Sequence, residues 1–259
     1  MTSIPFFQVD AFAERPLTGN PAAVMPLEHW LDDALMQAIA AENNLSETAF
    51  TVPSESGEAD YDLRWFTPTT EVDLCGHATL ASGHILATGD KVRFATRSGV
   101  LTVARSDDRL ELNLPAYDVA AGELPGLSDA LGVTGETFLG HGGNNSAIVL
   151  LPDEAAVRAV RPNFARLKEF DRLVMVTAPG DRHAIASRVF AAYHGIDEDP
   201  VTGSAHAALV PFWAKRLGRT EFSAVQASAR GGLLYCRLES DRVVLGGHCR
   251  TVIAGQFQL

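Results

Sequence analysis

The sequence is short of cysteine, of basic clusters and of long apolar runs, and each shortage removes a class of protein. Three cysteines occur in 259 residues, at Cys75, Cys236 and Cys249. Widely spaced and odd in number, they supply neither a disulfide framework nor a zinc pair. Lysine and arginine number 21 against 32 aspartates and glutamates, which gives a net charge of −11 and a pI near 5.1. No basic run exceeds two residues. That balance argues against nucleic acid and against an anionic membrane surface as partners. It leaves room for a small anion, because a local cleft can be positive inside an acidic protein. No apolar stretch approaches the ~18 residues that span a bilayer. The start Met1-Thr2-Ser3-Ile4-Pro5 lacks the regions of a signal peptide. The expectation is a soluble cytoplasmic protein.

Other familiar signals are missing too. His29, His84, His141, His183, His194 and His248 have no thiol or carboxylate at ligand spacing, so no metal is expected and they read as surface or core residues. The run Gly140-His141-Gly142-Gly143-Asn144-Asn145 lacks the Gly-x-Gly-x-x-Gly spacing and reads as a turn rather than a phosphate loop.

What is present is a pair of matching segments about half the chain apart. The first is Asp73-Leu74-Cys75-Gly76-His77-Ala78-Thr79; the second is Asp199-Pro200-Val201-Thr202-Gly203-Ser204-Ala205-His206. Each has an acidic residue, then Cys or Thr before a glycine, then a small and increasingly apolar run. This is the pattern of two similar halves, each contributing one helix N-terminus to a shared cleft. Such a terminus carries free N–H groups and the positive end of the helix dipole, so it suits an anion. Gly76 and Gly203 would let the ligand approach the backbone closely.

Periodicity fills in the halves. Strands are expected at 6–12, 22–26, 47–52, 61–67, 91–96, 100–105 and 109–114, with a turn at 18–21 and helices at 32–42 and 78–87. The second half offers strands at 145–151, 173–177, 187–193, 231–238, 242–245 and 251–257. Helices are expected there at 153–158 and 204–217, the latter kinked by Pro211. The fold class is α/β (α+β): two pseudo-symmetric domains, each a curved, mostly antiparallel sheet around one buried helix. The boundary is placed at the Ala/Gly/Pro-rich stretch 115–126, giving domains 1–115 and 116–250, with the final strand (about 251–259) returning to the first.

Several side chains invite chemistry, each with a plainer alternative. Glu47 opens a strand that turns apolar at once; burial raises a carboxylate pKa and would let one group take and return a proton. It could equally be a solvated acid at a strand start. His77, at a helix mouth, is disfavoured as imidazolium by the dipole and would act as a neutral donor or relay. Asp199 and Ser204 are either site residues or caps of the following helix. Cys75 would have a lowered pKa at a helix N-terminus. A two-cysteine racemase, however, would need a second thiol where Thr202 stands, so a small buried residue is the favoured reading.

Together Phe7-Gln8-Val9-Asp10-Ala11-Phe12, Gly19-Asn20-Pro21-Ala22-Ala23-Val24, Asn44-Leu45-Ser46-Glu47-Thr48, Phe66-Thr67-Pro68, 73–79 and 199–205 resemble the PhzF (phenazine-biosynthesis-like) isomerase family. The matches are dense over 6–90 and 195–206 and generic over 116–190. The resemblance implies the diaminopimelate-epimerase fold, with the active site in the cleft between two domains, and cofactor-independent proton shuttling. It places the acid/base on Glu47 with His77, Asp199 and Ser204 in support, and substrate contacts at Asn20, Gly76 and Gly203. In the phenazine enzymes the substrate is trans-2,3-dihydro-3-hydroxyanthranilate; here the expectation is a small amino- or hydroxy-carboxylate. The alternatives are an amino-acid racemase or epimerase of the same fold, or a non-catalytic metabolite-binding protein. Oligomeric state stays open, a homodimer being the form to test.

Overall fold

A computed structural model of the chain describes residues 3–140 and 145–259. Four residues of the 140–145 run, His141 to Asn144, lie outside the described residues. The chain divides into two compact units, Met1–Asn113 with Gly246–Leu259, and Leu114–Leu245.

Unit 1 contains β1 (Ser3–Ala11), β2 (Asn20–Pro26), α1 (Asp33–Asn43), β3 (Glu47–Pro53), β4 (Tyr61–Phe66), β5 (Glu71–Val72), α2 (Gly76–Leu86), β6 (Lys91–Thr96), β7 (Gly99–Ser106) and β8 (Arg109–Pro115). Unit 2 contains β9 (Val119–Ala121), α3 (Leu127–Leu131), β10 (Glu136–Gly140), β11 (Ser146–Leu150), α4 (Glu154–Ala159), α5 (Phe164–Leu167), β12 (Leu173–Pro179), β13 (Ile185–Ala191), β14 (Ile196–Asp199), α6 (Gly203–Leu217), β15 (Glu221–Gln226), β16 (Gly232–Glu239) and β17 (Arg242–Gly247). The last strand, β18 (Cys249–Gln258), pairs antiparallel with β1 and so belongs to unit 1.

Strand pairing shows the internal repeat. In unit 1 the order is β18-β1-β2-β3-β4-β6-β7-β8, with only β2–β3 and β4–β6 parallel. Unit 2 runs β9-β10-β11-β12-β13-β15-β16, and its parallel pairs are β11–β12 and β13–β15. Each parallel pair needs a crossover connection, and these carry the helices: α1 and α2 in one unit, α4–α5 and α6 in the other.

The second crossover helix of each unit is the buried one. Residues 76–83 of α2 are all buried. Small residues make this tolerable: Gly83 sits where an added Cβ would strike Val103. The hydroxyls of Thr79 and Ser82 donate back to the carbonyls of Cys75 and Ala78, at 2.5 and 2.8 Å, so neither hydroxyl is stranded. In α6, Pro211 cannot donate to the carbonyl of Ala207 four residues earlier. The N–H of Tyr117 takes that acceptor instead, at 2.9 Å, and the helix continues as one element over 203–217.

Two sequence expectations shift at their edges. Asn20 and Pro21, expected in a turn, already pair with Ala11 and Asp10 in the β1–β2 ladder. The expected strand at 187–193 ends at Ala191 and passes into a 3₁₀ turn, Ala192–His194.

Candidate active site

The residues singled out in unit 1 converge at the N-terminal end of α2. Helix α1 stops at Asn44, whose left-handed φ of 48° is one Asn accommodates. The turn that follows delivers Glu47 as the first residue of β3, beside Ala22 of β2. Asn20 opens β2, and Cys75 and His77 flank Gly76, the first residue of α2.

Glu47 Oε2 lies 3.1 Å from His77 Nε2; the two side chains are 12% and 4% exposed. That distance is right for an ion pair, yet the angle misses hydrogen-bond alignment, and neither atom has another hydrogen-bond partner. Two buried, opposed and under-satisfied polar atoms are costly unless something completes them. The other ring nitrogen, Nδ1, sits 3.2 Å from Asn20 Nδ2 and 3.5 Å from Cys75 Sγ. The Asn20 Oδ1 in turn accepts from Ser46 Oγ at 3.3 Å.

The electrostatics reverse the expectation for His77 and agree with the favoured reading of Cys75 as a small buried residue. Burial pulls His77 toward its neutral form, but its coupling and hydrogen bonding to Cys75 and to the Glu47 carboxylate outweigh it and hold its pKa well above 6.5. Cys75 itself is pushed up to about 11, first by burial and then by the Glu47 carboxylate. It is therefore a thiol at neutral pH, and Glu47 is the partner that favours the imidazolium there. The helix dipole, expected to keep His77 neutral and to acidify Cys75, loses to burial and to the nearby carboxylate. With its proton on Nε2 alone, His77 accepts from the Asn20 amide through Nδ1. The imidazolium needs that amide to turn and offer Oδ1, and the Ser46 hydroxyl can serve either orientation.

Glu47, Cys75 and His77 are also the described residues that come nearest to a metal-ligand set, their ligand atoms lying within 4.8 Å of one another. A bound ion would need the thiol and the imidazole both deprotonated, whereas Glu47 Oε2 and His77 Nε2 already face one another at 3.1 Å, a distance at which a proton is exchanged. The donor set suits proton transfer better than metal binding.

The mouth of α6 in unit 2 is built differently. Asp199 ends β14 and accepts from the Thr202 hydroxyl at 2.5 Å; Thr202 is the N-cap, and Gly203 and Ser204 open the helix. Gln226, buried at the end of β15, was not signalled by the sequence. Its Oε1 accepts from Thr202 N–H at 2.9 Å, and its Nε2 donates to the Asp199 carbonyl at 2.7 Å and to Thr202 Oγ1 at 3.2 Å. His206, one turn in, donates through Nδ1 to the Thr202 carbonyl at 2.8 Å, and burial lowers its pKa to about 4, so it is neutral. The register aligns the two mouths. Glu47 pairs with Ala22 where Leu173 pairs with Ser146, so an apolar Leu173 holds the place of Glu47. Thr202 stands for Cys75 and Ser204 for His77.

Comparison with known proteins bears on the whole chain. The family model described as phenazine biosynthesis-like protein matches residues 9–255. An uncharacterized isomerase of Pseudomonas aeruginosa is 50% identical over 263 residues, covering 99% of each chain. A crystal structure of a PhzF-family phenazine biosynthesis protein from Enterococcus faecalis superposes with a TM-score of 0.93 at 44% identity, covering 100% of both chains. A hydroxyproline epimerase from Agrobacterium vitis, at 14% identity and a TM-score of 0.67 over 99% of this chain and 91% of that one, shares the fold. Among the described residues no helix is long and apolar enough to cross a membrane.

Proposed function

The chain belongs to the phenazine biosynthesis-like (PhzF) family, whose relatives include proteins named as uncharacterized isomerases, and on that premise we propose that it moves a proton within a small amino- or hydroxy-carboxylate, using Glu47 and no cofactor. The observation that carries this reading is the buried pair of Glu47 Oε2 and His77 Nε2, 3.1 Å apart with neither atom fully satisfied. A bound substrate would complete both. Glu47 takes a proton from carbon and returns it to another carbon of the same molecule. His77 orients the carboxylate through Nε2 and steadies its charge, and Asn20 holds the ring from behind. The amide end of α2 at Gly76 favours an anionic substrate group, and while Glu47 holds the proton it exchanges with solvent in competition with its redelivery. Asp199, Gly203 and Ser204 of unit 2 enter the proposal as supporting and substrate-binding groups on the strength of the sequence resemblance.

The same observations weigh on the alternatives. A two-cysteine racemase needs a thiol in each half, but Thr202 occupies the place of Cys75, and Cys75 itself is held as a neutral thiol. A pure binding protein has no need of a buried acid opposed to an imidazole. The test is a panel of small amino- and hydroxy-carboxylates incubated with the protein in heavy water and followed by NMR. Solvent deuterium entering one of them, and not in a Glu47→Gln variant, supports the reading; tight binding without exchange in any of them favours the binding protein.

A further inference from the structure

Asp10 is a buried carboxylate for which the chemistry at Glu47 has no use. It lies near the end of β1 with no exposed surface. Directly opposed residues of a ladder share a face, and successive ones alternate. Asp10 stands between Pro21 of β2 and Arg250 of β18; Ala11 stands between Asn20 and Cys249. The Ala11 row faces α2: Cys249 Sγ donates to the Leu80 carbonyl at 3.8 Å, and the Asn20 amide lies 3.2 Å from His77 Nδ1. Asp10 is therefore on the other face of the sheet. There the β1–β2 connection, residues 12–19, folds back over it, and the Leu17 N–H donates to Asp10 Oδ2 at 2.8 Å. The connection is held in a shape its residues resist. Leu17 has a φ of 67°, in the left-handed region that disfavours a branched apolar residue. It is also 72% exposed, so packing does not hold it there. Thr18 ties the turn to the Arg15 carbonyl, at 3.4 Å through its N–H and 2.7 Å through its hydroxyl. At Gly19, φ 71°, a side chain would run into the Ala11 backbone. Asn20 comes next.

We propose that Asp10 is a positioning residue for the site: from the far face of the sheet it fixes the turn at 17–19, and through it the contact of the Asn20 amide with His77. A bond from a backbone N–H to a carboxylate is about twice as strong as one to a neutral acceptor, which suits a turn whose backbone works against it. The ladder alone holds Asn20 weakly, because its pairing with Ala11 is the last rung between β1 and β2. The turn before it decides how the amide enters, and the turn hangs on Asp10. Asp10 touches no reacting group; it acts through Asn20 on the imidazole that orients Glu47. The role in turnover rests on the function proposed above, while the effect on His77 can be read without a substrate.

Asp10→Asn keeps the side chain's size and trades the carboxylate for an amide. In the full chain without substrate, it should move the imidazole nitrogen signals of His77 in NMR away from their wild-type positions. Val92→Ala is the control for mere destabilisation: Val92 is buried in β6, four strands along the sheet from β1. It should lower the unfolding temperature and leave the His77 signals in place. With a carboxylate that the wild type exchanges, turnover by Asp10→Asn should fall at least about tenfold. Wild-type His77 signals in folded Asp10→Asn, or signals that move equally in Val92→Ala, overturn the proposal. Thr18→Val loosens the same turn from a half-buried position and carries the test if Asp10→Asn does not fold. It should move the His77 signals in a folded protein, and unmoved signals then overturn the proposal. Shifted His77 signals in a protein whose wild type exchanges no carboxylate uphold the positioning of Asn20 and count against the proposed function instead.

Discussion

The two units share one topology and differ in what they place at the mouth of the buried crossover helix. In unit 2 Gln226, Thr202 and Asp199 satisfy one another at the mouth of α6 within 2.5–3.2 Å, and His206, neutral and one turn in, has a buried Nε2 without a partner but no carboxylate opposed to it. In unit 1 the mouth of α2 is left unfinished, with a carboxylate and an imidazole opposed and incompletely bonded. A duplicated fold supplies two equal frames, and they differ at three places (Glu47 for Leu173, Cys75 for Thr202, His77 for Ser204), the difference on which the proposed function rests. Burial then decides each group's behaviour. It keeps the Cys75 thiol protonated and lets the adjacent carboxylate, rather than the helix dipole, govern His77.

The largest expected break in this contrast is Glu47→Gln. The amide keeps the shape and loses the proton, so turnover should fall by about 10²–10⁴-fold in a protein with unchanged thermal unfolding. Near-normal activity would remove Glu47 from the chemistry.

Gln226→Leu attacks the other unit. It removes the acceptor for Thr202 N–H and the donor for the Asp199 carbonyl, and each buried group left unpaired costs roughly 1–3 kcal/mol. Denaturant unfolding should show that loss, while the equivalent strand end in unit 1, Thr96, is partly buried rather than fully so and should tolerate change better. Wild-type stability in Gln226→Leu would show that the mouth of α6 is not held by this side chain.

What could be read from the sequence follows from the range over which each signal acts. Helix α2 and strands β3, β4, β6 and β7 were legible because their periodicity is local. The mouths of α2 and α6 were legible because Gly76 and Gly203 recur in a shared motif. Strand β14 was not: Ile196-Asp197-Glu198-Asp199 has loop composition and is extended by its pairing with β13. The expected kink at Pro211 failed to account for Tyr117, a residue ninety positions away that takes the freed carbonyl. Gln226 carries no motif, and only the return of β15 beside β14 and α6 gives it partners. The protonation of His77 was misread because sequence shows the helix terminus but not the burial and the carboxylate around it, whereas the favoured reading of Cys75 as a small buried residue agrees with its burial.

A smaller effect sharpens the electrostatic side. His77 has a folded pKa raised above its ordinary 6.5. Its contribution to stability is therefore fully present below about pH 6.5 and is lost as pH rises through the folded value. Unfolding measured from pH 5 to 9 should show this loss in the wild type and not in His77→Gln, and the imidazole signals should titrate above the ordinary range by NMR. A His77 that titrates below 6.5 would contradict the arrangement. The smallest change belongs to Cys75→Ser. With the thiol neutral, the rate should stay within about threefold of wild type, well short of the 10²–10⁴-fold of a lost acid/base. A loss as large as that of Glu47→Gln would revive a thiolate mechanism.

The most direct test of the central claim, that the reactive proton passes through Glu47 in unit 1, is deuterium incorporation into a turned-over carboxylate in heavy water. Wild type and Cys75→Ser should place solvent deuterium on the substrate carbon at comparable rates, and Glu47→Gln should place essentially none. Undiminished incorporation by Glu47→Gln, or its disappearance in Cys75→Ser alone, would contradict the account.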